Sequence, residues 1–414
     1  MKNKIIENIN NPEMLEYLYR KNKNDFSNSF FEISKDYNTD LVKFWKLRLT
    51  EEKDSKFIKI SKYDFFTILI ITFFTGIILK IPNLLPNINA DFFYLKYLAI
   101  FVFNGLIVFT FLQNKIFDRK KIFIYLLVIF ALVIYVYFLP NIKSDSILLT
   151  FMHVPFLMWC LFGLIFISFD YKNLEKRFQF IRFNGELLIM TGLLFIACGF
   201  LTGITFALFT AIGMNIQQFY LENIGVFGGT AVPIVAYYLI KIYPDITSKI
   251  SPVIARIFTP LILIMLIAYL ITIVFSNNKF LVDRNLLIVF NLMLFIVTAI
   301  IVFSISEQNK TNDKNINILI LFALAITAII INSIALTAIV SRVLTGVTPN
   351  RLAVLISNIL IFMNLILIAK DLFRSYYQIK FLNTVEITVA KFLTVYMIYT
   401  ILMIFIFPFL FGFK

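Results

Sequence analysis

The stretch ILILFALAITAIIINSIALTAIVSRVLTGVTPNRLAVLISNILIFMNLILIAK, residues 318–370, contains only three charged residues, Arg342, Arg351 and Lys370. Two apolar runs, 318–341 and 351–370, flank a short turn with glycine and proline. About 20 apolar residues carry a helix across roughly 30 Å of hydrocarbon. A transmembrane β-strand needs only about 10, alternating in polarity. These runs are long and do not alternate, so they read as a helical hairpin in a membrane.

Outward from this hairpin the pattern recurs. Eleven spans are expected, at about 64–80, 93–113, 121–139, 146–169, 186–213, 224–241, 256–276, 285–303, 318–341, 351–370 and 389–410. The 414-residue chain is 60% hydrophobic, has 49 Phe and a mean hydropathy of +0.86. Soluble domains are about 45–50% apolar. The expected architecture is an all-α, polytopic integral membrane bundle of about 11 helices. A cytosolic helical segment occupies 1–62, helices 1–4 occupy 63–180 and helices 5–11 occupy 181–414.

A formal charge of +14 raises the question of nucleic acid. With the N-terminus in the cytoplasm, the short inner segments hold 17 Lys and Arg, the outer ones 8 and the N-terminal tail 13. That asymmetry is the positive-inside pattern. It accounts for the basic balance without nucleic acid and puts the C-terminus outside. The first apolar run follows about 60 polar residues, so the first span reads as an internal anchor rather than a cleaved signal. The Lys, Asn, Ile and Phe bias fits an AT-rich bacterial genome and hence a bacterial cytoplasmic membrane. Cys160 and Cys198 fall within spans and read as small buried hydrophobes, not a disulfide framework.

In the tail, NPEMLEYLYRK places Pro12 at a helix start, with Leu15, Leu18 and Tyr19 on one face. NTDLVKFWKLRL offers Thr39 or Asp40 as a cap, followed by Leu41, Phe44, Trp45 and Leu49 at helical spacing. Three short helices are expected there, docked on the bundle or carrying a partner. Of the 13 glycines, 8 lie between Gly185 and Gly229. GFLTG is a small-xxx-small pattern that favours close helix approach. The fifth span, 28 residues and about 42 Å if straight, is expected to tilt, kink or break. GVFGGTAVP should weaken the start of the next helix.

Aligning Arg284 with Arg351 superposes RNLLIVFNLMLF on RLAVLISNILIF, with Asn291 or Asn358 seven residues after each arginine. This suggests tandem hairpins, 256–303 and 318–370. Chance similarity among abundant Leu, Ile and Asn is the rival reading.

Catalytic signatures are sparse. The single histidine, His153, excludes histidine-based zinc sites, and there is no Walker loop or HExxH pattern. No catalytic residue, metal or cofactor is assigned. Ionisable residues sit near span ends, which disfavours proton relays and voltage sensors. The interior polar groups are Asn104, Thr202, Thr205, Asn291, Thr298, Asn332, Ser333, Thr337, Asn358 and Asn364.

The turn itself holds the candidate site. Arg342 ends one helix, where a cation suits the negative helix end, whereas Arg351 lies in a first turn and opposes the dipole. A compensating anion at that helix start would resolve the conflict. Arg284, Arg342 and Arg351 are therefore expected to hold an anionic lipid or solute, with Asn291 and Asn358 about 10.5 Å deeper on the same faces. The competing expectation is interfacial snorkelling, or pairing with Asp283.

LEYLYRKNKNDF, FWKLRL, SPVIARIFTPLILIMLIAYLI and LTGVTPNRLAVL together resemble a family of bacterial inner-membrane proteins known as domain of unknown function forty-one fifty-three. The resemblance runs over most of the chain and implies a polytopic membrane protein. It implies no reaction or substrate. Two function classes follow from the sequence. One is a membrane protein handling a solute or lipid through an outward-facing polar site. The other is a non-transporting scaffold or sensor acting through the cytosolic segment around Trp45.

Overall fold

The computed structural model describes residues 1–34, 36–37, 39–56, 61–85, 87–142, 144–275, 284–307, 315–377 and 382–414, excluding the side chains of 23–24, 50–56, 245–249, 273–275, 284–290, 315 and 382. Among the described residues every regular element is a helix. The chain divides into two compact units, Met1–Phe65 and Phe66–Lys414.

The first unit comprises α1 (Lys2–Glu7), α2 (Pro12–Lys21), α3 (Lys23–Ile33) and α4 (Asp40–Lys56), four helices where three were expected. The added one, α1, is a single polar-looking turn and a half whose Ile5 is fully buried. Asn11 caps α2 by accepting from the Glu13 and Met14 amides, and Pro12 takes the first helical position, where no amide is needed. Thr39 caps α4 through the Val42 amide. Leu15, Leu18, Tyr19, Phe26, Phe30, Trp45 and Leu49 form one core. Arg48 lies over the Tyr19 and Trp45 rings and pairs with Glu16 at 2.7 Å. Hydrogen bonds from Arg20 and Arg48 hold the Glu16 carboxyl below its usual pKa.

The membrane unit continues with α5 (Lys62–Leu79), the short α6 (Ile81–Leu84), α7 (Ala90–Gln113), α8 (Arg119–Phe138), α9 (Asp145–Phe166) and α10 (Leu174–Ala211). Next come α11 (Gln217–Tyr220), a π-helical turn at Leu221–Gly225, α12 (Val226–Ile242), α13 (Pro244–Phe275) and α14 (Arg284–Ser306). The last elements are α15 (Asn315–Leu344), α16 (Pro349–Tyr377), α17 (Leu382–Phe405) and the short α18 (Phe407–Leu410). Among the described residues ten helical stretches are long and apolar enough to cross a membrane. The remaining expected span, 285–303, lies in the 23-residue α14, of which Asn291–Ser306 is fully described. The protein is a polytopic helical membrane bundle.

Two cores lie within this unit. One joins α7, α8, α9 and α12 around Ile100, Phe109, Val136, Phe162 and Tyr237. The other joins α13 to α17 around Leu266, Leu294, Ala328, Leu365 and Val385. The first part of α10 serves both, since Phe180 and Leu187 enter the first core while Phe178 and Ile181 enter the second.

Beyond this point α10 departs from expectation. It is one continuous helix of 38 residues, about 57 Å long, with no break. A side-chain carbon added at Gly192, Gly199 or Gly203 would meet nothing within 4 Å among the described residues, so GFLTG mediates no close packing among them. Glycine lowers helix propensity by only about 1 kcal/mol, which a long run of helix-forming apolar residues overrides. At the next helix, GVFGGTAVP is preceded by the π turn and then forms continuous α12, with Pro233 inside it.

Candidate functional site

At the end of the bundle where α15 meets α16, Gly346 adopts φ +153°, a conformation that glycine reaches freely. The turn brings Arg351 back beneath the last carbonyls of α15. Its Nη1 donates to the Arg342 and Gly346 carbonyl oxygens, both at 2.8 Å, and to Thr345 Oγ1 at 3.3 Å. Thr348 Oγ1 accepts from the Arg351 amide at 3.4 Å. A helix end leaves several carbonyls without partners, and a cation there is favourable. Arg351 thus opposes the dipole of the helix that carries it but caps the one before it, a compensation that the sequence reading missed. The distances alone cannot be read from spacing, because the guanidinium reaches backwards across the turn. Arg342 supplies one of those carbonyls. The Arg284 side chain and Asp283 lie outside what is described.

Two helical turns inside, the asparagines converge. Asn358 Nδ2 donates to Asn291 Oδ1 at 2.7 Å, so the two residues superposed by the 67-residue offset contact each other directly. From α15, Asn332 Nδ2 donates to the Asn358 carbonyl oxygen at 3.2 Å. Asn332 and Asn358 are 0% and 1% exposed, and among the described residues the Oδ1 of each has no hydrogen-bond partner. Asn364, further along α16, donates to the Tyr396 hydroxyl at 3.0 Å and also leaves its Oδ1 unpaired. A buried acceptor without a donor costs on the order of 1–3 kcal/mol. The layer therefore has surplus acceptors, which suit a hydrogen-bond donor.

Other polar groups bond locally. Thr205, Thr298, Ser333 and Thr337 each donate to the carbonyl four residues earlier on their own helix. Asn104 accepts from the Tyr125 hydroxyl, and Thr202 contacts that of Tyr220 at 3.4 Å. His153 Nδ1 lies 2.7 Å from the Leu149 carbonyl and its ring meets Tyr399 edge-on, the arrangement of a structural histidine. Lys96, 5% exposed, donates to the Leu139 carbonyl at 2.8 Å and caps the end of α8.

The opposite end of α15 holds a cluster that the sequence gave little sign of. Arg182 Nε on α10 lies 3.5 Å from Glu186 and 3.4 Å from Glu307, so two carboxylates share one guanidinium. Glu307 follows the last residue of α14, and its side chain is 1% exposed. Among the described residues neither of its oxygens has a partner in hydrogen-bond geometry, although the ion pair is close. Burial pushes its carboxyl up to about 7, against the attraction of Arg182 and with the repulsion of Glu186. It lines a cavity of about 20 Å³ together with Thr259, Ser304, Arg256 and Asn317. The sequence clue was a lone glutamate ending an apolar run, but its partner on α10 is more than 120 positions away.

Compared with protein-family models, with curated proteins and with solved structures, the chain matches none of them. The reading of function therefore rests on the geometry of this molecule.

Proposed function

We propose that this membrane protein handles a solute or lipid through a polar tract running inward from the Arg351 turn to Asn358, Asn291 and Asn332. The observation that carries the reading is the asparagine layer, with two fully buried amide oxygens that lack donors. Such groups are rare in membrane interiors unless they meet a partner or a ligand. The ligand class is an anionic molecule that also donates hydrogen bonds, such as a phosphate-bearing headgroup with hydroxyl or amine groups. Arg342 provides positive charge near its outer end, Arg351 sets the turn, and Arg284 is assigned to the same site by its sequence position seven residues before Asn291. The basic asymmetry supports an N-terminus in the cytoplasm, a C-terminus outside and a bacterial cytoplasmic membrane.

The test is native mass spectrometry of gently extracted wild-type protein beside Asn291→Leu, Asn358→Leu and Arg284→Ala, Arg351→Ala double variants. A phospholipid or other anionic adduct retained by wild type and lost from the asparagine variant is the expected result. Absence of a specific adduct, or equal retention in all three, overturns the reading.

One observation favours a second reading as scaffold or sensor. On the first unit, Tyr17, Phe44 and Leu47 are 58%, 56% and 69% exposed, whereas Trp45, at 2%, belongs to the core. Exposed apolar side chains around a self-contained core suit a protein partner. Under that reading, removal of residues 1–60 abolishes partner binding, and the adduct experiment gives no specific ligand.

A further inference from the structure

The cavity beside Glu307 differs from the asparagine layer in position and chemistry, and its reading does not depend on the solute proposal. It lies among α13, the end of α14 and the start of α15, and its Glu307 pairs with Arg182 on α10.

Its hydroxyls can be followed proton by proton. Thr259 Oγ1 donates to the Ala255 carbonyl at 2.6 Å. A threonine hydroxyl has one hydrogen. The 2.6 Å contact between Thr259 Oγ1 and Ser304 Oγ must then use the serine hydrogen. Both hydroxyls have committed their donors and turn only lone pairs to the remaining space. The ionised Glu307 carboxylate can only accept, and both its oxygens are buried without a hydrogen-bond partner among the described residues. The part of the wall formed by Thr259, Ser304 and Glu307 thus presents oxygen acceptors and calls for a positive or donating occupant.

Size and charge narrow the class. About 20 Å³ accommodates roughly one water-sized particle. Glu186 and Glu307 share Arg182, leaving one negative charge in excess when both are ionised. Arg256 also lines the wall, but it is exposed and makes no ion pair among the described residues. Asn317 contributes a neutral amide from α15. Among the described residues no three of His, Cys, Asp and Glu form a metal-binding group, which suits a low-charge ion rather than a di- or trivalent one.

We propose that this cavity binds a sodium-sized alkali-metal cation, held by the Glu307 carboxylate and the Thr259 and Ser304 hydroxyl oxygens. The ion would neutralise the excess carboxylate and tie α14 to α13 at the end of the bundle where Arg182 anchors α10. Protons compete for the same carboxylate, so cation binding tightens as pH rises.

The test measures thermal unfolding of purified full-length protein at pH 8 in detergent, titrated with sodium chloride against choline chloride at equal ionic strength. The expected result is a saturable rise in Tm with sodium alone, as binding to the folded state requires. Glu307→Gln, nearly isosteric, removes that rise. Ser304→Ala, which keeps the carboxylate, moves the midpoint to roughly tenfold higher sodium, the equivalent of one lost contact. Equal rises in the two salts overturn the proposal, as does a sodium response that survives Glu307→Gln. If that variant does not purify, an unchanged midpoint in Ser304→Ala overturns it. A Tm that responds to pH but never to sodium also overturns it, leaving Glu307 as a proton site alone. A negative result here leaves the adduct experiment on the asparagine variants unaffected.

Discussion

Arg351 sits in the first turn of its helix, where a positive charge is unfavourable, yet its guanidinium engages two carbonyls and a hydroxyl at the end of the previous helix. The residue therefore fixes the hairpin. Arg351→Ala is expected to destabilise the bundle by about 1 kcal/mol, the scale of losing hydrogen bonds to carbonyls that water can partly reach, read as a lower detergent Tm. Lysine cannot reproduce the forked geometry and should restore only part of the loss. An unchanged Tm in Arg351→Ala would show that water replaces these bonds without cost. Glu307 gives a pH signature of opposite sense to an ordinary ion-paired carboxylate. Its folded-state pKa is raised to about 7, above the roughly 4.3 of an unfolded glutamate. The unfolded chain then releases its proton first. The contribution of Glu307 to stability is full below about pH 4 and declines as pH rises through 7. In low sodium, Glu307→Gln should flatten the stability-pH curve across that window, and an unaltered slope would assign the dependence to other groups. At this scale the sequence exposed residue types but not partners. Asn291 and Asn358 could be aligned by their matching places after an arginine, whereas Glu307 acquires its chemistry from Arg182 on a distant helix.

Helix existence was legible because apolar runs long enough to cross a membrane leave few alternatives in lipid, where backbone groups must be satisfied within the segment. Helix packing was not, because glycine has the same appearance in sequence whether it faces a neighbour or open space. Gly185 and Gly199 separate these cases on the same helix. An added carbon at Gly185 would lie 2.1 Å from the Phe303 ring, and one at Gly199 would meet nothing within 4 Å. Gly185→Ala should therefore cost about 1–3 kcal/mol through displacement of the ring. Gly199→Ala should be neutral or stabilise by up to about 1 kcal/mol through helix propensity. Parallel thermal melts in one detergent compare the two directly. Similar destabilisation at both positions would mean that Gly199 faces a partner not contained in this chain. The π turn at Leu221–Gly225 marks where another helical stretch departs from α-helical regularity, whereas α9, α12 and α13 run on through their internal prolines. The unbroken α10 shows that glycine content alone does not interrupt a helix.

Across the whole molecule, α15 separates two polar regions, the acceptor cavity near Asn317 and the Arg351 turn after Leu344. These positions differ by about 27 residues, or roughly 40 Å of helix, enough to place them at opposite faces of a bilayer. The positive-inside rule, by which basic loops stay in the cytoplasm, turns the distribution of Lys and Arg into a prediction of orientation. The cavity should lie near the cytoplasm and the turn should lie outside. Single cysteines test this in a background with Cys160→Ser and Cys198→Ser, the latter needed because Cys198 is exposed. Val347→Cys, at a position 60% exposed in the turn, should react with a membrane-impermeant maleimide in intact cells. Tyr171→Cys, at a position 56% exposed between α9 and α10, should react only after the membrane is opened. The reverse pattern would invert the bundle, place the acceptor cavity toward the outside and require the asparagine tract to open to the cytoplasm. Labelling of both positions in intact cells would be incompatible with their assignment to opposite faces. The expected pattern would place the cation cavity at the cytoplasmic boundary and the polar tract at the outer one, so that each side of the bundle presents a different ligand chemistry.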